Sequence, residues 1–537
     1  MNAAIKAYNI GNHLYMQYMS IEANNQNKES LSIVNIDGSD SYSLARYIQD
    51  EVIKNKKYLA IFTETAFEAR RLMEEMLWFS PNLKINLLPD WETLPYDHFS
   101  PHPDLISERL LTLYQVTQKS FDVVIVPVTT ALHLLPPKSY IQQFSFHFTK
   151  GQKVDIEAFK NQLTLNGYMN VVRVMAPGEF SVRGSLIDLF PMGSIVPYRL
   201  DFFDDEIDSI RTFDVDSQRT LYPVNEIKLL PARECPMDEK SISTFRQNYR
   251  ERFEGDPSRS SIYKDISKGI PIGGIEWYMP LFFDEMSDIF SYFSDNTIIY
   301  KHGNLDHACN HFWQETEKRF RLFAYDAERP ILEPKDLLLK SDRFFKSINT
   351  YEKFDLKRPE TYEKIPDVSI DRKNIQPLAK LDKFISESSK RIFILADSLG
   401  RRETVSELLK VNGIKFKSTD NWSQALNTND QVVLTVSPVH QGYISSEHIV
   451  ITESELYVNT VRQSKRRHRD KNFSSDAMVR DLSELKDGDP IVHDQYGVGR
   501  FRGLLNLDFG EGESEFLLLE YFGDDKLYVP VSNLDLI

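Results

Sequence analysis

The feature that most restricts the fold is a series of short, almost uninterrupted apolar runs separated by helical stretches. LSIVNI (Leu31–Ile36), YLAIFTE (Tyr58–Glu64), INLLPD and FDVVIVPV (Phe121–Val128) alternate with SYSLARYIQDEVIKN and AFEARRLMEEMLWF. Strands without polar alternation must be buried on both faces, and the intervening helices supply the cover, so the pattern predicts an α/β unit around a parallel sheet. RIFILAD (Arg391–Asp397), RRETVSELLKVNG, QVVLTV and HIVITE repeat the pattern later on a smaller scale. From Phe144 the texture changes. GEFSVRGSLIDLFPMGSIVPYRLDFFDDEIDSIRTFD (Gly178–Asp214) is broken by Gly, Pro and Asp into short runs, which predicts antiparallel strands. Residues 240–325 return to mixed helix and strand. Arg329–Asp367 is charged, punctuated by proline and without a sustained apolar face, and reads as an extended connector. The final stretch of about 50 residues, KDGDPIVHDQYGVGRFRG through LYVPVSNLDLI, consists of short strands and glycine turns, the pattern of a small SH3-like or Tudor-like barrel.

Composition excludes several function classes. A length of 537 residues implies about three to five domains. With 41% hydrophobic and 27% charged residues, a largely disordered chain is excluded. No run approaches the ~18 apolar residues of a membrane helix, and MNAAIKAYNIGNHLYMQYMS lacks the apolar block of a signal peptide. The two cysteines, Cys235 and Cys309, form no disulfide framework, which suits a reducing cytoplasm. A net charge of −15 argues against the whole chain gripping nucleic acid, because phosphate neutralisation dominates that affinity. One basic run stands apart, RQSKRRHRDK (Arg462–Lys471). It reads either as a solvated linker helix or as a contact for phosphate or an acidic partner.

Catalytic chemistry is not visible. A phosphate loop after the first strand needs glycines, so that backbone N–H groups can surround phosphate, and a lysine for the terminal oxygens. That position reads IDGSDSYS (Ile36–Ser43), with two aspartates, and none of the 22 glycines in the chain is followed by lysine. DFFDDE (Asp201–Glu206) resembles an acidic metal motif but reads better as a charged hairpin rim. In HACNH, His307 and His311 share a helix face while Cys309 points roughly 200° from His307, so one ion cannot easily take all three. Asp97-His98 and His102 lie among prolines, and no G-x-S-x-G turn occurs. The expectation is no catalytic, cofactor or metal site, and no enzyme in this chain alone.

What the residues do offer is adhesive surface. In YRLDFF, strand alternation sends Tyr198, Leu200 and Phe202 to one face and Arg199, Asp201 and Phe203 to the other. Arg199 and Phe203 then stand about 13 Å apart along the strand, and arginine-plus-aromatic pairs are common interface anchors. A turn at PMGS (Pro191–Ser194) is expected to fold GEFSVRGSLIDLF back and bring Arg183 close to Phe203. Pattern alone equally allows the aromatic to be core. GLLNLDF (Gly503–Phe509), before a Gly-Glu-Gly turn, reads either as an edge strand open to β-augmentation or as an ordinary buried strand.

LPDWETLPYDHFSPHPDLISERLLTLYQ, GEFSVRGSLIDLFPMGS, PYRLDFFDDEIDSIRTFDVDSQRT, IVHDQYGVGRFRG and GDDKLYVPVSNLDLI, in this order, resemble the bacterial transcription-repair coupling factor (Mfd) family. The likeness covers essentially the whole chain but only the N-terminal half of that family. It implies an α/β multidomain protein. Residues 1–143 would be a degenerate RecA-like, UvrB-like helicase domain, interrupted by a small UvrA-binding α+β domain at 144–231 and resumed at 232–325. A linker at 326–386, a small α/β domain at 387–459, a basic linker helix at 460–485 and a CarD-like RNA polymerase-interacting barrel at 486–537 would follow. Carried over by position, Arg183, Arg199 and Phe203 would contact UvrA, and Leu507 would meet the RNA polymerase β subunit. The ATP- and Mg-dependent DNA translocase would lie beyond Ile537, which would explain why the sequence stops on a well-formed β segment. The function implied is transcription-coupled nucleotide excision repair. The alternatives are a standalone CarD-like polymerase regulator and a nucleotide-dependent helicase remnant, the latter opposed by the missing phosphate loop.

Overall fold

The computed structural model describes residues 31–326, 328–360, 363–371, 375–457, 488–493, 497–508, 513–521 and 526–530. They fall into two compact units, Met1–Asn459 and Thr460–Ile537. The first unit is built on a six-stranded sheet in the order Leu31–Asn35, Glu352–Lys357, Thr297–His302, Tyr58–Thr63, Val123–Pro127, Ile85–Leu87. Every neighbouring pair in it is parallel. Leu59–Thr63 and Val123–Pro127 are buried throughout, as their unbroken apolar runs require. Helices Asp40–Tyr47 and Ala66–Phe79 follow the first two strands, and each begins on a hydroxyl, Ser39 or Thr65, that accepts from a backbone N–H of the first turn.

Two expectations for this sheet need correction. The run LSIVNI is not a fully covered strand: it forms the sheet edge, and Ile33 is 61% exposed. The connector expected over 326–386 contains short helices at Pro334–Leu337 and Ser341–Ile348. It also holds the strand Glu352–Lys357, inserted between two other strands of the parallel sheet. EKFDLK hides this role because Phe354 alone is fully buried, while Glu352 pairs with Lys57 at the strand's start.

An antiparallel region interrupts the α/β unit. Five strands, Thr220–Val224, Glu206–Phe213, Tyr198–Phe203, Leu186–Phe190 and Glu179–Arg183, lie side by side in that order, with a short parallel strand, Met169–Asn170, at the end. One face carries Phe180, Ile187, Leu189, Leu200, Phe202, Ile207 and Ile210 into the main core. Where the chain returns from this region, a buried knot holds Glu234 to the α/β unit. Arg109 Nε donates to Glu234 Oε1 at 2.8 Å, Trp91 Nε1 donates to Glu234 Oε2 at 2.8 Å, and Arg109 Nη1 donates to the Pro89 carbonyl.

A second parallel sheet, Lys417–Ser418, Val432–Val436, Arg391–Ala396 and His448–Thr452, takes an antiparallel edge at Tyr443–Ile444. It docks on helices Asp40–Tyr47 and Ala66–Phe79 through an aromatic cluster of Tyr42, Phe79, Phe393, Trp422 and Tyr443, with Trp78 at its rim. Trp78 Nε1 donates to the Val436 carbonyl at 3.0 Å, and Ser446 donates from N and Oγ to the Asp37 carboxylate at 2.6 and 2.7 Å. The second compact unit is a four-stranded antiparallel meander, Pro490–His493, Gly497–Asp508, Glu513–Glu520 and Lys526–Pro530, closed over Ile491, Phe501, Leu517, Leu519 and Val529. Among the described residues its outer strands do not pair with each other. Residues 1–30 and the basic run Arg462–Lys471 lie outside the described residues.

Candidate functional site

The outer face of the antiparallel sheet is where exposed chemistry gathers. The register sets Ser181, Asp188, Arg199 and Arg211 in one row across four strands, and Arg183, Leu186, Asp201 and Ser209 in the next. Directly paired residues share a face, so Arg183, Arg199 and Phe203 project from the same side. Phe203 is 80% exposed at the end of its strand, whereas Leu200 and Phe202 are buried. The alternation expected for YRLDFF is therefore present, and the core reading of Phe203 is excluded.

Geometry separates the three residues. The first hairpin closes at Gly184, whose φ of 62° favours glycine, rather than at PMGS. The strand Leu186–Phe190 consequently lies between Arg183 and the strand of Phe203. Arg183 is not beside Phe203; Leu186 pairs with Asp201, about 10 Å across two strand spacings from Arg183. Arg183 is exposed, with its Nη2 donating to the Val172 carbonyl at 3.1 Å. Arg199 is held much more closely. Its Nε and Nη2 donate to Asp188 Oδ1 and Oδ2 at 2.6 and 2.9 Å, and Nη1 donates to Thr220 Oγ1 at 3.2 Å. Its guanidinium carbon lies 5.0 Å over the Phe213 ring. The Asp188 hydrogen bonds push the guanidinium still further toward its charged form.

Part of the same face is covered by the segment after Met169–Asn170. Val171, Val174 and Val215 form a small cluster there with Phe190 and Phe213. Glu179 accepts from the N–H groups of Met175 and Ala176 at 2.7 and 3.0 Å, and Ser181 Oγ donates to the Val172 carbonyl. On the rest of the face Arg183, Phe203 and Arg211 are exposed, and Arg199 and Asp201 are half-buried. Asp188 was not singled out by sequence pattern, although a lone carboxylate in the apolar run LIDLF is a signal, since a buried carboxylate needs a partner.

In the second unit, Leu507 lies in Gly497–Asp508, opposite Ser514. Residues 504–508 pair with Glu513–Glu520 on one side, while Pro490–His493 pairs only with 497–500 on the other. Among the described residues, the backbone edge around Leu507 is thus open. The Gly-Glu-Gly turn lies outside the described residues.

The other motifs are structural. At the phosphate-loop position Gly38 sits against the Tyr443 ring, which a Cβ would approach to 2.5 Å, and the Asp37 carboxylate is engaged by Ser446. DFFDDE is a hairpin rim, turning at Asp204 and Asp205. His307 and His311 stack with ring centroids 6.2 Å apart on the helix Leu305–Phe323. No group of three or more metal-ligating side chains occurs among the described residues. Both cysteines are buried, with thiol pKa values pushed up by desolvation, Cys309 to about 12 and Cys235 well above the ordinary value. Among the described residues no helix is long and apolar enough to cross a membrane.

Comparison with known families matches these regions separately. A model described as the UvrB interaction domain matches residues 146–235, the D3 domain of MFD matches 384–456, and a CarD-like/TRCF RID domain matches 485–537. Transcription-repair-coupling factors are similar over most of the chain. The Haemophilus influenzae protein is 39% identical over 491 residues, 88% of this chain and 42% of that relative. The Escherichia coli protein is 39% identical over 482 residues, 87% and 42%, and the Rickettsia bellii protein 28% identical over 509 residues, 91% and 44%. The chain therefore spans less than half the length of the relatives it matches. With three matched domains in series and 39% identity over most of its length, the chain is similar to transcription-repair-coupling factors over 42% of their length.

Proposed function

We propose that this chain is the docking half of a transcription-repair coupling factor: it binds stalled RNA polymerase and recruits UvrA to template-strand damage in nucleotide excision repair. Arg183, Arg199 and Phe203 would meet UvrA, and the strand bearing Leu507 would meet the polymerase β subunit. Residues 1–143 and 232–325 would be a degenerate RecA-like scaffold, and the C-terminal unit a barrel. ATP, Mg and DNA would be handled by a translocase in the part of the family's length that this chain does not span. The reading places the chain in the cytoplasm and gives it no enzymatic role alone.

The observation that carries the proposal is the outer face of the antiparallel sheet, where Phe203 is 80% exposed and Arg183 and Arg199 project from the same side, inside the segment matched by the UvrB interaction domain. A bare aromatic sharing a face with arginines has the composition of an interface hot spot. A standalone CarD-like regulator is less favoured, because it leaves the matches at 146–235 and 384–456 without a role. The test is a pair of pull-downs, with UvrA and with RNA polymerase. The chain should retain both, and Leu507→Arg should lose polymerase alone with its melting temperature unchanged. Retained polymerase binding would remove Leu507 from the interface, and ATP hydrolysis by the purified chain would contradict the non-catalytic reading.

A further inference from the structure

We infer that Asp188 is a positioning residue for the partner-binding face: its carboxylate fixes the Arg199 guanidinium in the orientation a partner meets, without touching the partner itself. The inference rests on the reading of that face as the UvrA-binding surface.

Asp188 lies on Leu186–Phe190 between the buried Ile187 and Leu189, and its side chain is 4% exposed. A carboxylate at such a position is costly unless paired. Its partner is directly opposite, since Arg199 is its registered neighbour on the adjacent strand, and the two side chains meet fork to fork through both carboxylate oxygens. Thr220 and the Gln218 carbonyl take Nη1, and Phe213 underlies the guanidinium plane. Most of the donors are thus spent within the sheet. Arg199 presents a fixed cationic plate, not a free arm able to grip a second carboxylate with both prongs. A lysine could not reproduce the arrangement, having one point charge in place of the planar fork.

The consequence for binding is entropic. A free arginine side chain must give up its rotamer freedom when a partner orders it; here Asp188 has removed that freedom before the partner arrives. Arg183, tied only through Nη2 to a carbonyl, lacks such a clamp.

The test is a double-mutant cycle on the full chain, titrated with UvrA at fixed ionic strength. Asp188→Ala should weaken binding about 3- to 10-fold when Arg199 is present, and should cause no further loss when Arg199 is already alanine. Equal losses in the two backgrounds, or no loss in either, would overturn the inference. Asp188→Asn keeps the side-chain shape should the alanine variant fold poorly, and the same pattern is expected of it. A second readout does not involve UvrA: the Arg199 Nε–H should give a distinct, slowly exchanging NMR signal that disappears in Asp188→Asn. A signal unchanged by that substitution would refute the clamp. If the signal behaves as expected but the unmodified chain binds no UvrA, the docking reading falls, and the inference about binding with it.

Discussion

The two six-stranded sheets of the first compact unit treat their surfaces in opposite ways. On the large parallel sheet, the loop after the first strand, where a nucleotide-binding relative would hold phosphate, is closed by a neighbouring domain: Tyr443 covers Gly38, Ser446 engages Asp37, and an aromatic cluster seals the helices beside it. On the antiparallel sheet part of the outer face remains open, with Phe203 and Arg183 facing solvent and Arg199 clamped by Asp188. A surface without ligand chemistry is free to become packing, and its aromatics are then buried. A surface that keeps an exposed aromatic on the same face as arginines holds apolar area out of the core, as the proposed docking role requires.

The largest effect that would sharpen this contrast is on the closed side. Trp422 packs against Trp78, Phe79, Phe393 and His448 with ring centroids 4.8–5.3 Å apart. Trp422→Ala should cost ~3–5 kcal/mol in denaturant-induced unfolding while leaving UvrA affinity unchanged. A loss of affinity to match would mean the two surfaces are coupled rather than distinct.

The next effect is pH dependence on the same side. His448 is buried among Tyr42, Phe393 and Trp422, with Tyr443 Oη 3.1 Å from its Nε2. Burial lowers its pKa from 6.5 to about 4, with Arg46, Arg391 and Lys390 adding to the shift and Asp37 opposing it. The unfolded chain therefore takes up a proton that the folded chain refuses. Stability is fully present above about pH 6.5 and falls as the pH drops toward 4, by on the order of 3 kcal/mol for this residue. His448→Gln should flatten that part of the curve. His133, buried beside Arg109 and Asp90 and also lowered to about 4, should keep the remainder, and an unflattened curve would remove His448 from the account.

The smallest expected effect is on the open side. Phe203→Ala should change unfolding free energy by no more than about 0.5 kcal/mol, since the ring packs on nothing that folding needs. A larger loss would mean that the face is structural after all.

The parts legible in sequence were those in which one local rule decides the outcome. The runs YLAIFT and VVIVP, buried on both sides, could be little else than interior parallel strands. The two faces of YRLDFF follow from period-two alternation around two buried residues. Glu352–Lys357 was not legible, because its place in the sheet depends on neighbours far away in sequence and its side chains are mostly only half covered. Nor was the separation of Arg183 from Phe203. Both the Gly184 turn and the PMGS turn permit a reversal, and only the assembled sheet puts Leu186–Phe190 between them. Asp188 was visible as an anomaly in an apolar strand but without its partner, since the register between strands is a property of the pairing and not of either segment.

The most direct test of the docking face is a calorimetric titration of the chain with UvrA, comparing Arg199→Ala and Phe203→Ala with the unmodified protein under identical salt. The account predicts a loss of about 2–4 kcal/mol in binding free energy for each variant, with melting temperature essentially unchanged for Phe203→Ala. Undiminished affinity in both variants would contradict it.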